Sequence, residues 1–83
     1  MIEIYTTTYC PHCTRAKDLL KKKGQSFTEI NCEEDENVWN ECVKRSGGRQ
    51  TVPQIFINGT HVGGADDLYA LDKAGKLDGM LGL

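Results

Sequence analysis

Apolar positions recur along the chain in two rhythms, and each change of rhythm marks an element. Ile2, Ile4 and Tyr5 are strand-like and run into three threonines, Thr6 to Thr8. From Cys13 the period lengthens. Cys13, Ala16, Leu19 and Leu20 make one helical stripe, while Arg15, Lys17, Lys21, Lys22 and Lys23 face water. The spacing predicts a helix that starts at Cys10-Pro11 and stops at Gly24. Proline suits the first helical position, where no N–H is needed, and glycine is a usual stop. Lysines at the helix end complement its dipole. Phe27 to Asn31 reads as a second strand. The acidic cluster Glu33 to Glu36 suits the start of a second helix, with Val38, Trp39, Cys42 and Val43 on one side and Gly47-Gly48 at its end. Gln54 to Ile57 and Thr60 to Val62 flank Asn58-Gly59, a strong hairpin signal. After Gly63-Gly64, a last helix opens at Ala65, Asp66 and Asp67 and carries Leu68, Leu71 and Ala74. Leu77, Met80 and Leu81 form an apolar tail expected to dock on the core.

The order β-α-β-α-β-β-α predicts an α/β fold. Its first two strands pair in parallel through a right-handed crossover, and the tight hairpin makes the last two antiparallel. One mixed four-stranded sheet with helices on both faces follows. The 83 residues are enough for one domain, residues 1–83. A domain of that size buries only about 60–65% of the surface its unfolded chain exposes. Net charge is −2, with Lys and Arg dispersed. Phosphate recognition needs a concentrated basic face, so nucleic acid is not the expected partner. The apolar run Ile55 to Ile57 is too short to span a bilayer. Met1 leads into a strand with no leader pattern, which makes the expected location cytoplasmic, away from membranes.

Four cysteines admit a disulfide scaffold, a metal site or redox chemistry. Structural disulfides are rare in the cytosol. Cys10 and Cys13 form one C-x-x-C, but Cys32 and Cys42 form no second pair of that kind, so only half of a usual zinc pattern is present. Redox chemistry remains. Cys10 stands at a helix start, where unpaired backbone N–H groups and the positive end of the dipole favour a thiolate; the N–H of Cys13 is the obvious donor. For any thiol, lowering the pKa by about three units raises the thiolate fraction at neutral pH about 30-fold. A Brønsted slope of about 0.4–0.5 returns most of that gain as lost nucleophilicity. The benefit lies in departure, since acidic thiols leave faster. Cys13, one turn inward, is expected to be less exposed and less acidic, so Cys10 attacks and Cys13 resolves.

Cys10-Pro11-His12-Cys13, Thr51-Val52-Pro53 and Gly63-Gly64-Ala65-Asp66-Asp67, in that order, make the sequence resemble a bacterial dithiol glutaredoxin of the thioredoxin superfamily over almost its whole length. The resemblance implies a thioredoxin-like fold, a cis bond before Pro53, and glutathione as co-substrate. It implies that Thr51, Val52 and Pro53 receive the cysteinyl part of glutathione, the Val52 backbone offering N–H and C=O. It further implies that Gly64, Ala65 and Asp66 hold the γ-glutamyl end, where free N–H groups suit a carboxylate and Asp66 suits an ammonium. Arg49 could pair with the glycyl carboxylate. Three positions depart from the family's usual pattern. His12 stands where tyrosine is usual, Thr7 where lysine is frequent, and Ala65 where cysteine is frequent. An imidazolium at His12 would favour the Cys10 thiolate, so His12→Tyr is expected to make the protein more reducing. Cys42 reads as a small core hydrophobe, Cys32, at a strand end, as either packing or an oxidisable thiol, and His61 and Trp39 as structural.

The expected activity is reduction of protein disulfides and glutathione mixed disulfides by a monomer. No cofactor is tightly bound, and glutathione is re-reduced by a separate glutathione reductase. Two rivals stand beside it. One is a thioredoxin-like redoxin recycled by thioredoxin reductase; the other is a module binding an iron–sulfur cluster or zinc through Cys10.

Overall fold

A computed structural model describes residues 1–82. The elements run β1 (Ile2–Thr6), α1 (Pro11–Lys22), β2 (Thr28–Asn31), α2 (Glu36–Arg45), β3 (Gln54–Ile57), β4 (Thr60–Gly63), α3 (Ala65–Lys73) and α4 (Leu77–Leu81). The sheet order is β2-β1-β3-β4, parallel between β1 and β2 and antiparallel across the other two pairings. The mixed four-stranded sheet expected from the element order is therefore present, in the thioredoxin-like arrangement that the resemblance implied.

Strand alternation sorts the core into two layers. Ile2, Ile4, Ile55 and Ile57 face α1 and α3, packing on Ala16, Leu19, Leu20, Ala65 and Leu68. Tyr5 and Phe56 project to the other face, where Cys32, Cys42, Val38 and Trp39 cover them. Burying a side chain such as Leu20 contributes about 1.5–3 kcal/mol, so the two layers rather than the half-exposed ion pairs hold the sheet. On the α2 side Arg45 forms a two-point pair with Glu3 at 3.1 and 3.2 Å, donates to Tyr5 Oη at 2.8 Å and stacks over Phe56 at 4.1 Å. That cluster ties the end of α2 to β1.

The hairpin turn at Asn58-Gly59 has positive φ at both residues, 51° and 82°, the backbone that matches strand twist in a two-residue loop. The apolar tail docks on the core as expected, through Leu77, Met80 and Leu81, and its helical form is what the sequence did not show. Leu77–Leu81 is a short helix, with Leu77 fully buried. Gly75, at φ 75°, lets Lys76 N–H return to Leu71 O at 2.9 Å and close α3 before the chain turns into α4. Lys23 is more than a solvated helix end: its Nζ contacts Asp72 at 2.7 Å and Asp78 at 2.9 Å, joining α1 to α3 and α4.

Candidate functional site

Cys10 is the N-cap of α1, in extended conformation at φ −152° and ψ 99°, with Pro11 in the first turn. Its Sγ accepts the Cys13 N–H at 3.2 Å and lies 3.8 Å from Val52 O. Cys10 is partly exposed, while Cys13 is only 2% exposed. Burial, helped by the neighbouring Cys10 sulfur, pushes the Cys13 thiol up to about 12. Two cysteines three residues apart thus have unlike environments: one at the polar end of a helix, the other in the core.

The loop before Cys10 is held from the side. Glu33 accepts the Thr8 N–H at 2.7 Å, which keeps its carboxyl below the ordinary range, and Asn31 Nδ2 donates to Thr8 Oγ1 at 3.3 Å. Tyr9, next to Cys10, is 87% exposed.

Beside the thiol runs an open groove lined by His12, Arg49, Thr51, Val52, Pro53, Gly64, Ala65, Asp66 and Asp67. His12 and the seven residues expected to hold glutathione, Arg49, Thr51, Val52, Pro53, Gly64, Ala65 and Asp66, are therefore on this one surface. The Val52–Pro53 bond is cis. With a volume of about 170 Å³, the groove is smaller than the roughly 300 Å³ at which enclosing small-molecule pockets begin. It suits an extended peptide laid along the surface.

Two sets of contacts, one in the groove and one beside it, go beyond the expectations drawn from the sequence. Asp67 joins Asp66: its Oδ2 accepts from Gly64 N at 2.9 Å and from Arg49 Nη1 and Nη2 at 3.3 Å. The Gly64 N–H, with Arg49 adding to it, keeps the Asp67 carboxyl below its ordinary range. A signal for this exists, because an acid three residues after a helix N-cap is the returning half of a capping box. The second set belongs to Arg15. Its Nη1 lies 3.3 Å from His12 Nδ1 and 3.6 Å from Asp66 Oδ1, its guanidinium sits over the Tyr69 ring at 5.1 Å, and its carbonyl accepts from Tyr69 Oη. Periodicity places Arg15 in water. In the fold it bridges the start of α1 to the start of α3.

Gly63 explains why Arg49 and Asp67 can meet. Its φ is 120°, and a Cβ there would come within 2.8 Å of Asp67 Cγ and 2.9 Å of Arg49 Nη1. Only glycine leaves that space.

Residues 2–62 match the family model described as Glutaredoxin. Glutaredoxin 3 of Escherichia coli (strain K12) is 55% identical over 80 residues, covering 96% of this chain and 95% of that protein. The solution structure of glutaredoxin from Brucella melitensis superposes with a TM-score of 0.85 at 52% identity, over 96% of this chain and 86% of that one. The crystal structure of the buckwheat glutaredoxin–glutathione complex superposes with a TM-score of 0.88 at 30% identity, over 96% and 74%. With a helix-capping thiol, a buried partner thiol and these relatives, the chain belongs to the glutaredoxin family of thiol–disulfide oxidoreductases.

Proposed function

We propose that the protein, residues 1–83 acting as one domain and as a monomer, is a glutathione-dependent oxidoreductase that uses its Cys-Pro-His-Cys motif. The observation that carries this reading is the groove itself: Thr51, Val52, Pro53, Gly64, Ala65 and Asp66 lie along one surface that begins at the Cys10 sulfur. A buckwheat relative of the same fold is known as a glutathione complex, which supports the same ligand here.

In the first branch the Cys10 thiolate attacks the glutathione sulfur of a glutathionylated protein. The Cys10–glutathione disulfide forms, the old disulfide breaks, and the protein thiolate leaves. A second glutathione thiolate then attacks that mixed disulfide, giving oxidised glutathione and returning the Cys10 thiolate. In the second branch Cys10 opens a protein disulfide, and Cys13, on giving up its proton, attacks the Cys10 sulfur and releases the reduced protein. Two glutathione molecules then reduce the Cys10–Cys13 bond. Electrons return to glutathione through a separate glutathione reductase, so the cycle is complete without a bound cofactor and can run in the cytoplasm. Arg49 would turn from Asp67 to the glycyl carboxylate, and Asp66 would receive the γ-glutamyl ammonium.

The test is glutathione-coupled reduction of a small glutathione mixed disulfide. Cys10→Ser should abolish this activity and protein disulfide reduction, while Cys13→Ser should retain the former. Recycling by thioredoxin reductase instead of glutathione would sink the reading. Loss of mixed-disulfide activity in Cys13→Ser but not in Cys10→Ser would reverse the two roles.

A further inference from the structure

Gln54 is the first residue of β3 and is fully buried, yet it is polar. A buried amide without partners costs about 1–3 kcal/mol by protein mutational measures, so where its atoms point is informative. Gln54 Nε2 donates to Thr51 O at 2.9 Å and to Thr51 Oγ1 at 3.2 Å. Its Oε1 faces His61 Nε2 at 2.8 Å. This pattern allows one orientation. A flipped amide would set its oxygen against the Thr51 carbonyl, so both Nε2 hydrogens serve Thr51 and His61 donates from Nε2. The His61 ring is itself fixed, lying 5.0 Å from the Phe56 ring on the neighbouring strand.

The target of this chain of bonds is the loop that faces the thiol. Thr51 precedes Val52, whose carbonyl lies 3.8 Å from Cys10 Sγ. Thr51 is exposed at the groove, and the hydrogen bonds described for its oxygens come from Gln54. The loop is therefore braced from beneath by a side chain that never reaches the groove.

We infer that Gln54 is a positioning residue, oriented by His61, that holds the Thr51–Val52 backbone in the pose that receives the cysteinyl part of glutathione. This rests on the proposed glutathione reading and adds to it. Gln54 touches neither substrate nor sulfur. Its effect is expected in KM for the glutathione-bearing substrate and not in the thiol's own reactivity.

The experiment compares Gln54→Leu, Gln54→Glu and His61→Phe with the unaltered protein in three measurements. These are KM and kcat for a glutathione mixed disulfide, reduction of the Cys10–Cys13 disulfide by dithiothreitol, and the urea midpoint. Gln54→Leu should raise KM about tenfold, the size expected from losing roughly 1.4 kcal/mol of binding, with kcat and dithiothreitol reduction within about twofold. Gln54→Glu, which keeps an acceptor for His61 but cannot donate to Thr51 O, should behave like Gln54→Leu. His61→Phe keeps the ring contact with Phe56 and removes only the orienting donor, so it should shift KM the same way by less; it carries the test if the Gln54 variants fail to fold. Unchanged KM in a folded variant overturns the inference, as does an equal loss with dithiothreitol, which has no peptide to align. If the unaltered protein itself shows no glutathione-dependent turnover, the glutathione reading fails and the inference falls with it.

Discussion

The backbone N–H of Cys13 donates to Cys10 Sγ at 3.2 Å, although the Cys13 side chain is buried in the core. One residue thus supplies a donor that favours charge on its neighbour's sulfur while its own sulfur is kept neutral, pushed up to about 12 by burial. The two thiols should therefore separate chemically. Brief treatment of the reduced protein with iodoacetamide near neutral pH is expected to modify Cys10 and leave Cys13 untouched, as read by peptide mapping. Equal labelling of both would show that burial does not protect Cys13.

Gly63 gives a second prediction. A methyl group at residue 63 must displace Asp67 or Arg49 as well as adopt φ 120°. Gly75, at φ 75°, has open space where a Cβ would stand, so Gly75→Ala meets only the backbone penalty of about 1–2 kcal/mol. Gly63→Ala is expected to cost more stability than Gly75→Ala and, alone of the two, to raise KM for the glutathione substrate. Urea midpoints and steady-state kinetics on the pair check this.

The contrast between Gly63 and Asn58-Gly59 shows what a sequence can carry. The hairpin at Asn58-Gly59 is legible because the turn residues and the alternating strands lie within a few positions of each other. The helix-capping role of Cys10 is legible for the same reason: cap, Pro11 and the apolar stripe are local. The Arg49–Asp67 pair spans 18 residues, and nothing in either neighbourhood announces the other. Arg15 is apolar-stripe exterior by period, and only the approach of α3 to α1 gives it His12, Asp66 and Tyr69. Gln54 reads as a strand residue, and its burial depends on β4 delivering His61. The short helix Leu77–Leu81 stays hidden because five residues containing Gly79 lack enough turns for a period to show.

The buried thiols predict how stability responds to alkali. Burial raises Cys13 to about 12, Cys42 to about 11 and Cys32 by a smaller margin, all from an ordinary 9.0. Above that ordinary value the unfolded chain releases these protons while the folded chain retains them. The folded state then binds more protons, so stability falls as pH rises. Below it both states are protonated, and the slope from these groups vanishes. These three thiols should contribute no slope to the urea midpoint near neutrality and should lower it above about pH 9, the ordinary thiol range. Cys42→Ala, which removes one buried thiol, should make that decline shallower. An equal decline in the variant would assign the alkaline loss to other groups, such as Tyr5, which burial also raises.

His12 and Arg15 supply the last prediction. The proposed influence of His12 on the Cys10 thiolate acts through an imidazolium, which carries protons on both ring nitrogens. Arg15 Nη1 stands 3.3 Å from Nδ1, a donor facing the atom that would have to become a donor. Both side chains are exposed, so water weakens the opposition without removing it. Arg15 is therefore expected to restrain the effect of His12. In the unaltered background His12→Tyr should make the Cys10–Cys13 disulfide modestly more reducing. In an Arg15→Gln background the same substitution should produce the larger shift, because no guanidinium then stands against the Nδ1 of the imidazole it removes. Equilibration of each variant with a glutathione redox buffer near pH 6, where a free imidazole is largely charged, reads the four potentials. Identical shifts in the two backgrounds would separate Arg15 from the redox function of His12, and no shift in either would leave His12 without one.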